Sequence, residues 1–292
     1  MSGNLAFKRT RIAPTPSGYL HLGNAFSFAI TVALAQQTGA RIFLRIDDLD
    51  RERVRREYIE DIFETLDYLE LPWDEGPKNY NEYETIYSQI HRLDLYHEAL
   101  HSLRERDLVF ACDCSRLDVL RRDAQGVYSG TCRKKKLPLG GVAYNWRLDT
   151  LAENTLAIRG LDGNTQYTIL PTSMRYFVVR RKHGAPAYQL ASVIDDVHYG
   201  VDFVVRGADL WESTLAQHYL ANVQGYMGFL NSIFFHHPLL KSNSDSKLSK
   251  SAGATSIKYL REQGKTKAEV YQMIGHMLGL KHPISSWEEL TP

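Results

Sequence analysis

His21 stands between Gly18 and Gly23 in the stretch TRIAPTPSGYLHLGN, Thr10 to Asn24, and the apolar run AFSFAITVALA follows directly. Pro14 and Pro16 stiffen the approach, so the order reads as a strand, a tight turn and a helix start. Glycines at such a junction let a ligand approach the backbone, and a new helix offers N–H groups and a partial positive charge to phosphate. An imidazole at that place is suited to donating to a phosphate oxygen as charge develops. By itself the turn fits an ordinary strand-to-helix junction with a surface histidine equally well. Far downstream, KLSKS at 247–251 sets Lys247 and Lys250 among small and hydroxyl residues, the composition of a cationic loop that clamps a triphosphate. A third group is Cys112, Cys114 and Cys132, with Tyr128 four residues before the last. Thiolates are soft, strong zinc ligands, and a tetrahedral site needs four donors, so a tyrosine oxygen would complete the set; three free thiols fit the same spacing.

The elements that must position these groups follow the same alternation. ARIFLRIDDLDRERV reads as a buried strand with Asp47, Asp48 and Asp50 at its exit, where open α/β sheets bind ligands. Val54, Tyr58, Ile62, Leu66 and Leu69 mark an amphipathic helix ended by Leu71-Pro72. A loop from Pro72 to Tyr83 leads to a second helical stretch ending near Arg106, then to the cysteine region, and 140–179 carries short β-prone pieces between turns. Strand alternating with helix favours a doubly wound parallel sheet of the nucleotide-binding kind.

With 292 residues and 43% apolar content, the chain can bury one large domain carrying a smaller insertion. A net charge of +1 gives no global attraction to nucleic acid. RNA contact would rest on local runs such as Arg133, Lys134, Lys135 and Lys136, which read equally as a solvated face. No signal peptide or membrane-length apolar run is present, so a cytoplasmic protein with no membrane partner is expected. Three cysteines in that compartment argue against a disulfide framework.

The pair formed by the His21 turn and KLSKS resembles the HIGH and KMSKS signatures of class I aminoacyl-tRNA synthetases. AYQLASVIDDVHYGVDFVVRGADLWESTLAQHYL is similar to the second half of the glutamyl and glutaminyl catalytic domain, and C-x-C followed by G-x-Y-x-G-x-C-R, Gly126 to Arg133, resembles a zinc-binding insertion of glutamyl-type enzymes. The resemblance implies a Rossmann-type parallel sheet in two halves, 1–107 and 184–252, with an inserted zinc domain at 108–183 and a helical tail at 253–292. It implies catalytic roles for His21, Lys247 and Lys250, and ATP contacts from His21, Gly23 and Lys250. The implied glutamate pocket is Arg11, Ile12, Ala13, Pro14, Thr15, Asp47, Tyr188 and Arg206, with Tyr188 and Arg206 at strand ends facing the amino acid. Arg11 or Arg206 suits the side-chain carboxylate and Asp47 the ammonium. One structural Zn2+ on Cys112, Cys114, Tyr128 and Cys132, and Mg2+ with ATP, complete the implied site. Asp47 stands where the family usually carries glutamate and Thr15 where serine is commoner, changes that keep the functional group and alter pocket dimensions.

After KLSKS, 41 residues follow, with Val270, Ile274, Met277 and Leu278 as a helical stripe, too short for an anticodon-binding domain. This resembles the truncated branch that transfers activated glutamate to the queuosine base of tRNA(Asp). The expectation is activation of L-glutamate by ATP without tRNA, then transfer to tRNA(Asp) carrying queuosine, by a monomer. Two alternatives stay open: a glutamyl- or glutaminyl-tRNA synthetase whose anticodon module is supplied separately, and a catalytically inactive tRNA-binding module.

Overall fold

The computed structural model describes residues 6–140, 143–150, 154–240 and 256–290. Contacts divide the chain into two units, Met1–His91 with Phe203–Ala208 and Phe235–Pro292, and Arg92–Asp202 with Asp209–Phe234.

In the first unit, β1 (Arg9–Ile12) runs parallel to β2 (Arg41–Leu44), with Arg11 opposite Phe43 and Ile12 opposite Leu44. Between them lies α1 (Leu22–Thr38). Eleven of its residues, from Leu22 to Ala35, are buried. A helix without a polar face needs cover on more than one side. Here α1 meets β1, β2 and the strand Phe203–Gly207 as well as the helix Lys267–Leu278 and the turn at Trp287. The parallel pairing continues past the strands, since Arg45 N donates to Ile12 O and Asp47 N to Pro14 O, both at 2.9 Å. On its other side β2 meets the 74–76 turn, where Gly76 has φ +97° and a Cβ would fall 2.3 Å from the Leu44 carbonyl oxygen. Only glycine fits there.

The second helix, α2 (Arg56–Tyr68), buries Ile59, Ile62, Phe63 and Leu66. That is the i, i+3, i+4, i+7 stripe; of the expected residues Ile62, Leu66 and Leu69 are buried, while Val54, before the helix, and Tyr58 are half-buried. Tyr58 lies half-buried with its ring edge-on to Tyr19 at 5.0 Å. The helices Ile257–Glu262 and Lys267–Leu278 dock on α2 and its exit. Arg261 pairs with the buried Asp61 and with Glu64, Tyr271 Oη donates to Leu69 O at 2.9 Å, and Trp287 Nε1 to Glu70 O at 2.9 Å. Val270, Tyr271, Ile274 and Gly275 are the buried positions of Lys267–Leu278, while Met277 and Leu278 are half-exposed.

In the second unit the helices Leu93–Glu105, Tyr188–His198 and Trp211–Gln224 pack on one another. A buried ion pair pins two of them: Arg92 Nε and Nη2 reach Asp195 Oδ1 and Oδ2 at 2.8 and 3.1 Å, and Tyr96 Oη adds 2.7 Å to Oδ1. An antiparallel sheet joins β3 (Val109–Cys112), β4 (Asn145–Leu148) and the strand Val178–Arg180. A hairpin of β5 (Leu156–Gly160) and β6 (Thr165–Thr168) pairs in parallel with Ile233 and Phe234. The short β pieces expected at 140–179 are these strands, and they are mostly antiparallel. Among the described residues no helix is long and apolar enough to cross a membrane.

Candidate functional site

His21 is the N-cap of α1, and its side chain is oriented by the helix it caps. Nδ1 accepts from Gly23 N at 3.0 Å and Asn24 N at 3.3 Å, while Asn24 Oδ1 accepts from His21 N at 3.0 Å. With Nδ1 an acceptor, the proton of the neutral ring sits on Nε2, which is thereby set up as a donor. Partial burial lowers the imidazole pKa below its ordinary value and favours this neutral form. The sequence suggested open N–H groups at the start of α1; the ring occupies two of them, so the histidine rather than the bare helix terminus is what faces outward. Gly23 makes this geometry fit, because a Cβ there would lie 2.9 Å from His21 Cε1 and 3.0 Å from Nδ1. Ser256 bridges to His21 in antiparallel fashion, and Ile257 N donates to Leu20 O at 2.7 Å. The chain after KLSKS thus returns to the His21 turn; Lys247 and Lys250 themselves lie outside the described residues.

The continued β1–β2 pairing brings Arg11, Ile12, Ala13, Pro14 and Thr15 alongside Asp47. Ile12 and Pro14 are buried, Ala13 half-buried and Thr15 exposed. Arg11 is buried, and its Nη1 donates to Val205 O at 3.1 Å. That contact sets it beside β8 (Phe203–Gly207), which carries the buried Arg206. His236, in β9 (Ile233–His237), joins them: burial, then Arg206, His237 and Arg11, push its pKa down to about 4. The group is therefore two guanidiniums beside a neutral imidazole, a cationic cluster suited to a carboxylate.

Asp47 is already engaged, since Arg45 Nε and Nη2 reach its two oxygens at 2.6 and 3.1 Å. A carboxylate has further lone pairs, so an ammonium would share Asp47 with Arg45. Sequence reasoning missed Arg45, although its position two residues from Asp47 on an extended segment put both on one face. His236 had no signal in the sequence beyond its place in FFHH. The grouping of Asp47 with Asp48 also dissolves. Asp48 is fully buried and accepts from Tyr83 Oη at 2.6 Å, Ser88 Oγ at 2.5 Å, Gln89 N at 2.8 Å and Arg51 Nη1 at 2.5 Å. It holds the chain after the Pro72 loop and is not a ligand group.

Tyr188 corrects the expected strand end. It begins the helix Tyr188–His198 in the second unit and is 40% exposed. Leu190 to Asp196 are all buried, with no strand alternation, and Ala191 N donates back to Ala187 O at 3.0 Å as a helix requires. Arg206 does lie near the end of its strand.

In the second unit the three cysteines are buried, unbridged, and their sulfur atoms lie within 4.8 Å of one another. Cys114 and Cys132 Sγ are 3.4 Å apart, and Cys112 Sγ is 3.5 Å from Tyr128 Oη. Three soft sulfurs and a nearby oxygen fit a tetrahedral zinc set. Burial would raise the Cys112 thiol, but the Tyr128 hydroxyl and the Arg147 guanidinium outweigh it and hold the pKa below its ordinary value, favouring thiolate. Arg122 Nη1 adds a donor to Cys114 Sγ at 3.3 Å.

Comparison with known proteins gives the family. The family described as tRNA synthetases class I (E and Q), catalytic domain, matches residues 8–139 and 147–285. The glutamyl-Q tRNA(Asp) synthetase of Rhodobacter capsulatus is 32% identical over 91% of this chain and 99% of its own length. That of Synechococcus sp. (strain CC9605) is 37% identical over 94% and 84%. Glutamate–tRNA ligase 2 of Syntrophus aciditrophicus is 31% identical over 97% of this chain, which spans 60% of that protein. The crystal structure of the glutamate–tRNA synthetase from Elizabethkingia anophelis shares the fold, with a TM-score of 0.73 at 22% identity over 97% of this chain and 64% of that one. The His21 turn, the parallel β1–β2 pair and the extent of these matches place the chain in one family: it belongs to the class I tRNA synthetases of the E and Q type and is a ligase-type enzyme.

Proposed function

We propose that this enzyme activates L-glutamate with ATP, without needing tRNA, and transfers the glutamyl group to the queuosine base of tRNA(Asp). The observation that carries the glutamate reading is the buried pair Arg11 and Arg206 beside neutral His236. The two arginines suit the substrate's side-chain carboxylate, and Asp47, reached through the paired extension of β1 and β2, would share its carboxylate between Arg45 and the ammonium. The queuosine reading is supported by relatives named glutamyl-Q tRNA(Asp) synthetase, one of which is matched over 99% of its length.

In the first step an oxygen of the substrate α-carboxylate attacks the α-phosphorus of ATP in line. An O–P bond forms, the bond to the pyrophosphate oxygen breaks, and glutamyl-adenylate and pyrophosphate result. No protein nucleophile is required, so the chain's work is positioning and charge stabilisation. His21 Nε2 donates to a phosphate oxygen as negative charge spreads. Lys247 and Lys250 supply cations, and Mg2+ carried with ATP neutralises the triphosphate. Cys112, Cys114, Tyr128 and Cys132 would hold one Zn2+, which would tie the cysteine region together.

Gly23→Ala should separate the His21 role from helix stability. The added methyl group displaces the imidazole, and glutamate-dependent ATP–pyrophosphate exchange should fall by roughly 10- to 100-fold. Loss of the cap should cost only about 0.5–1 kcal/mol in thermal unfolding. Unchanged exchange would remove the oriented ring from the mechanism.

The function itself is tested with radiolabelled glutamate, ATP and either tRNA(Asp), with or without queuosine, or tRNA(Glu), beside amino-acid-dependent ATP–pyrophosphate exchange. Label retained on the queuosine-containing tRNA alone is expected. Label on the 3′ end of tRNA(Glu) instead would make the enzyme a glutamate–tRNA ligase, and absence of exchange with any amino acid would leave a binding module.

A further inference from the structure

Next to the cysteine centre, the second unit has a cavity of about 400 Å³, within the roughly 300–1,000 Å³ usual for small-ligand sites. Three guanidiniums line it: Arg116 from the helix Arg116–Arg122, Arg147 from β4, and Arg175 from the turn ahead of Val178–Arg180. Among the described residues no carboxylate lines it, and neither Arg116 nor Arg147 has a carboxylate partner. The acids at neighbouring positions are engaged elsewhere: Asp118 with Ser115 and Arg121, Asp149 with Arg133, and Glu212 with Ser173 Oγ at 2.9 Å. Cations gathered in one concave place repel one another, and an anion relieves that repulsion.

The cavity is also set in advance. The Arg147 guanidinium lies 3.8 Å over the Tyr128 ring, and its Nη1 donates to Tyr176 O at 2.8 Å, so little side-chain freedom is left to lose on binding. Tyr176 has a φ of +53°, in the left-handed region that an aromatic residue rarely enters, and its N–H is held by Thr150 Oγ1 at 3.0 Å. Such strain persists where the surroundings impose it and clusters at ligand clamps. Here it falls between Arg175 and Phe177, both on the cavity wall. Phe177 and the exposed Leu120 give the wall an apolar side.

We propose that this cavity is a nucleotide site, with the phosphate on Arg116, Arg147 and Arg175 and the base against Phe177 and Leu120. Guanidinium forks match phosphate oxygens, and a flat apolar wall accepts a base by stacking. A nucleotide within a tRNA strand and a free nucleoside monophosphate offer the same chemistry. The strand source rests on the tRNA reading above, and the free source does not.

The test uses the full chain, with circular dichroism to confirm folding of each variant. Calorimetry measures UMP and inorganic phosphate, UMP being chosen because AMP would also occupy an ATP site, and filter binding measures tRNA(Asp) over a series of salt concentrations. Arg116→Gln and Arg175→Gln should each weaken the bound nucleotide by roughly 10-fold, the loss of one charge-assisted hydrogen bond. In the tRNA measurement each should also lower the salt slope by about 1. Leu120→Asp, which sets a carboxylate on the wall at an exposed position, should weaken binding at least as much and keeps the test open if Arg175→Gln fails to fold. Arg121→Gln, on the same helix but outside the cavity, should behave as the parent. UMP binding lost in the cavity variants assigns a free nucleotide; a tRNA effect confined to those variants, without UMP binding, assigns the strand. Equal loss in Arg121→Gln and Arg116→Gln would reduce the cavity to a diffuse basic face and overturn the proposal. Phosphate binding as tight as UMP, or parent-like binding in every cavity variant, would overturn it too. A parent that catalyses no ATP–pyrophosphate exchange would overturn the enzyme reading and leave the cavity result standing.

Discussion

Arg206→Lys is expected to lower the kcat/KM for glutamate in ATP–pyrophosphate exchange by roughly one to two orders of magnitude, the equivalent of a charge-assisted hydrogen bond. Lysine keeps the charge and loses the planar fork that meets a carboxylate at two points. In the buried surroundings of β8 there is little water to replace the missing donor. Arg11 cannot easily compensate, since its Nη1 is committed to the Val205 carbonyl. The KM for ATP should change little, which distinguishes a pocket effect from general damage. Glutamine should remain a poor substrate of the parent, because its amide NH2 would be set against guanidinium donors and leave a buried polar group unsatisfied. Side-by-side exchange with glutamate, glutamine and aspartate decides the matter. A parent that prefers glutamine would overturn both the assignment of Arg206 and the glutamyl reading.

The largest effect on stability should come from a residue with no place in the chemistry. Asp195 is fully buried under Arg92 and Tyr96. Asp195→Ala leaves the guanidinium buried without its counter-charge, which costs about 3–5 kcal/mol. Urea denaturation followed by far-ultraviolet circular dichroism measures it. Burial alone would lower the Arg92 pKa, but its bond to Asp195 and that charge more than reverse this and raise it, so the arginine stays charged and does not escape by deprotonation. The double variant Arg92→Met, Asp195→Leu should recover much of the loss, because both charges are gone and the space is refilled. A single-variant cost below about 1 kcal/mol, the level of an exposed pair, would show that water reaches the site.

Asp195 also shows what pattern leaves open. In the sequence D-D belongs to a stretch that resembles the catalytic half of the family, with no role given to either acid. The fold directs the first of the two acids to Arg92, 103 residues earlier. Asp48 repeats the lesson: one position from Asp47, it holds Tyr83, Ser88 and Gln89. Strand alternation turns neighbouring side chains to opposite faces, so two carboxylates adjacent in sequence need not share a task.

By itself the sequence determined the groups whose geometry is local. His21 and Gly23 belong to one turn, and the cap follows from contacts two and three residues apart. Cys112, Cys114, Tyr128 and Cys132 sit on one stretch of about twenty residues, so their convergence required only a loop. The segment from Arg11 to Thr15 and the strand before Asp47 were legible because hydrophobic alternation and a helix between them imply a parallel pair. Tertiary structure alone decided the contacts with long sequence separation. Arg11 meets the Val205 carbonyl across 194 residues, and His236 stays neutral because burial and two arginines from other strands act on it. It also engaged Asp47 with Arg45. The physical reason is the same in each case. Local patterns specify which element forms and which face it buries, whereas charge pairing, protonation and metal reach depend on distances that exist only once the elements have packed.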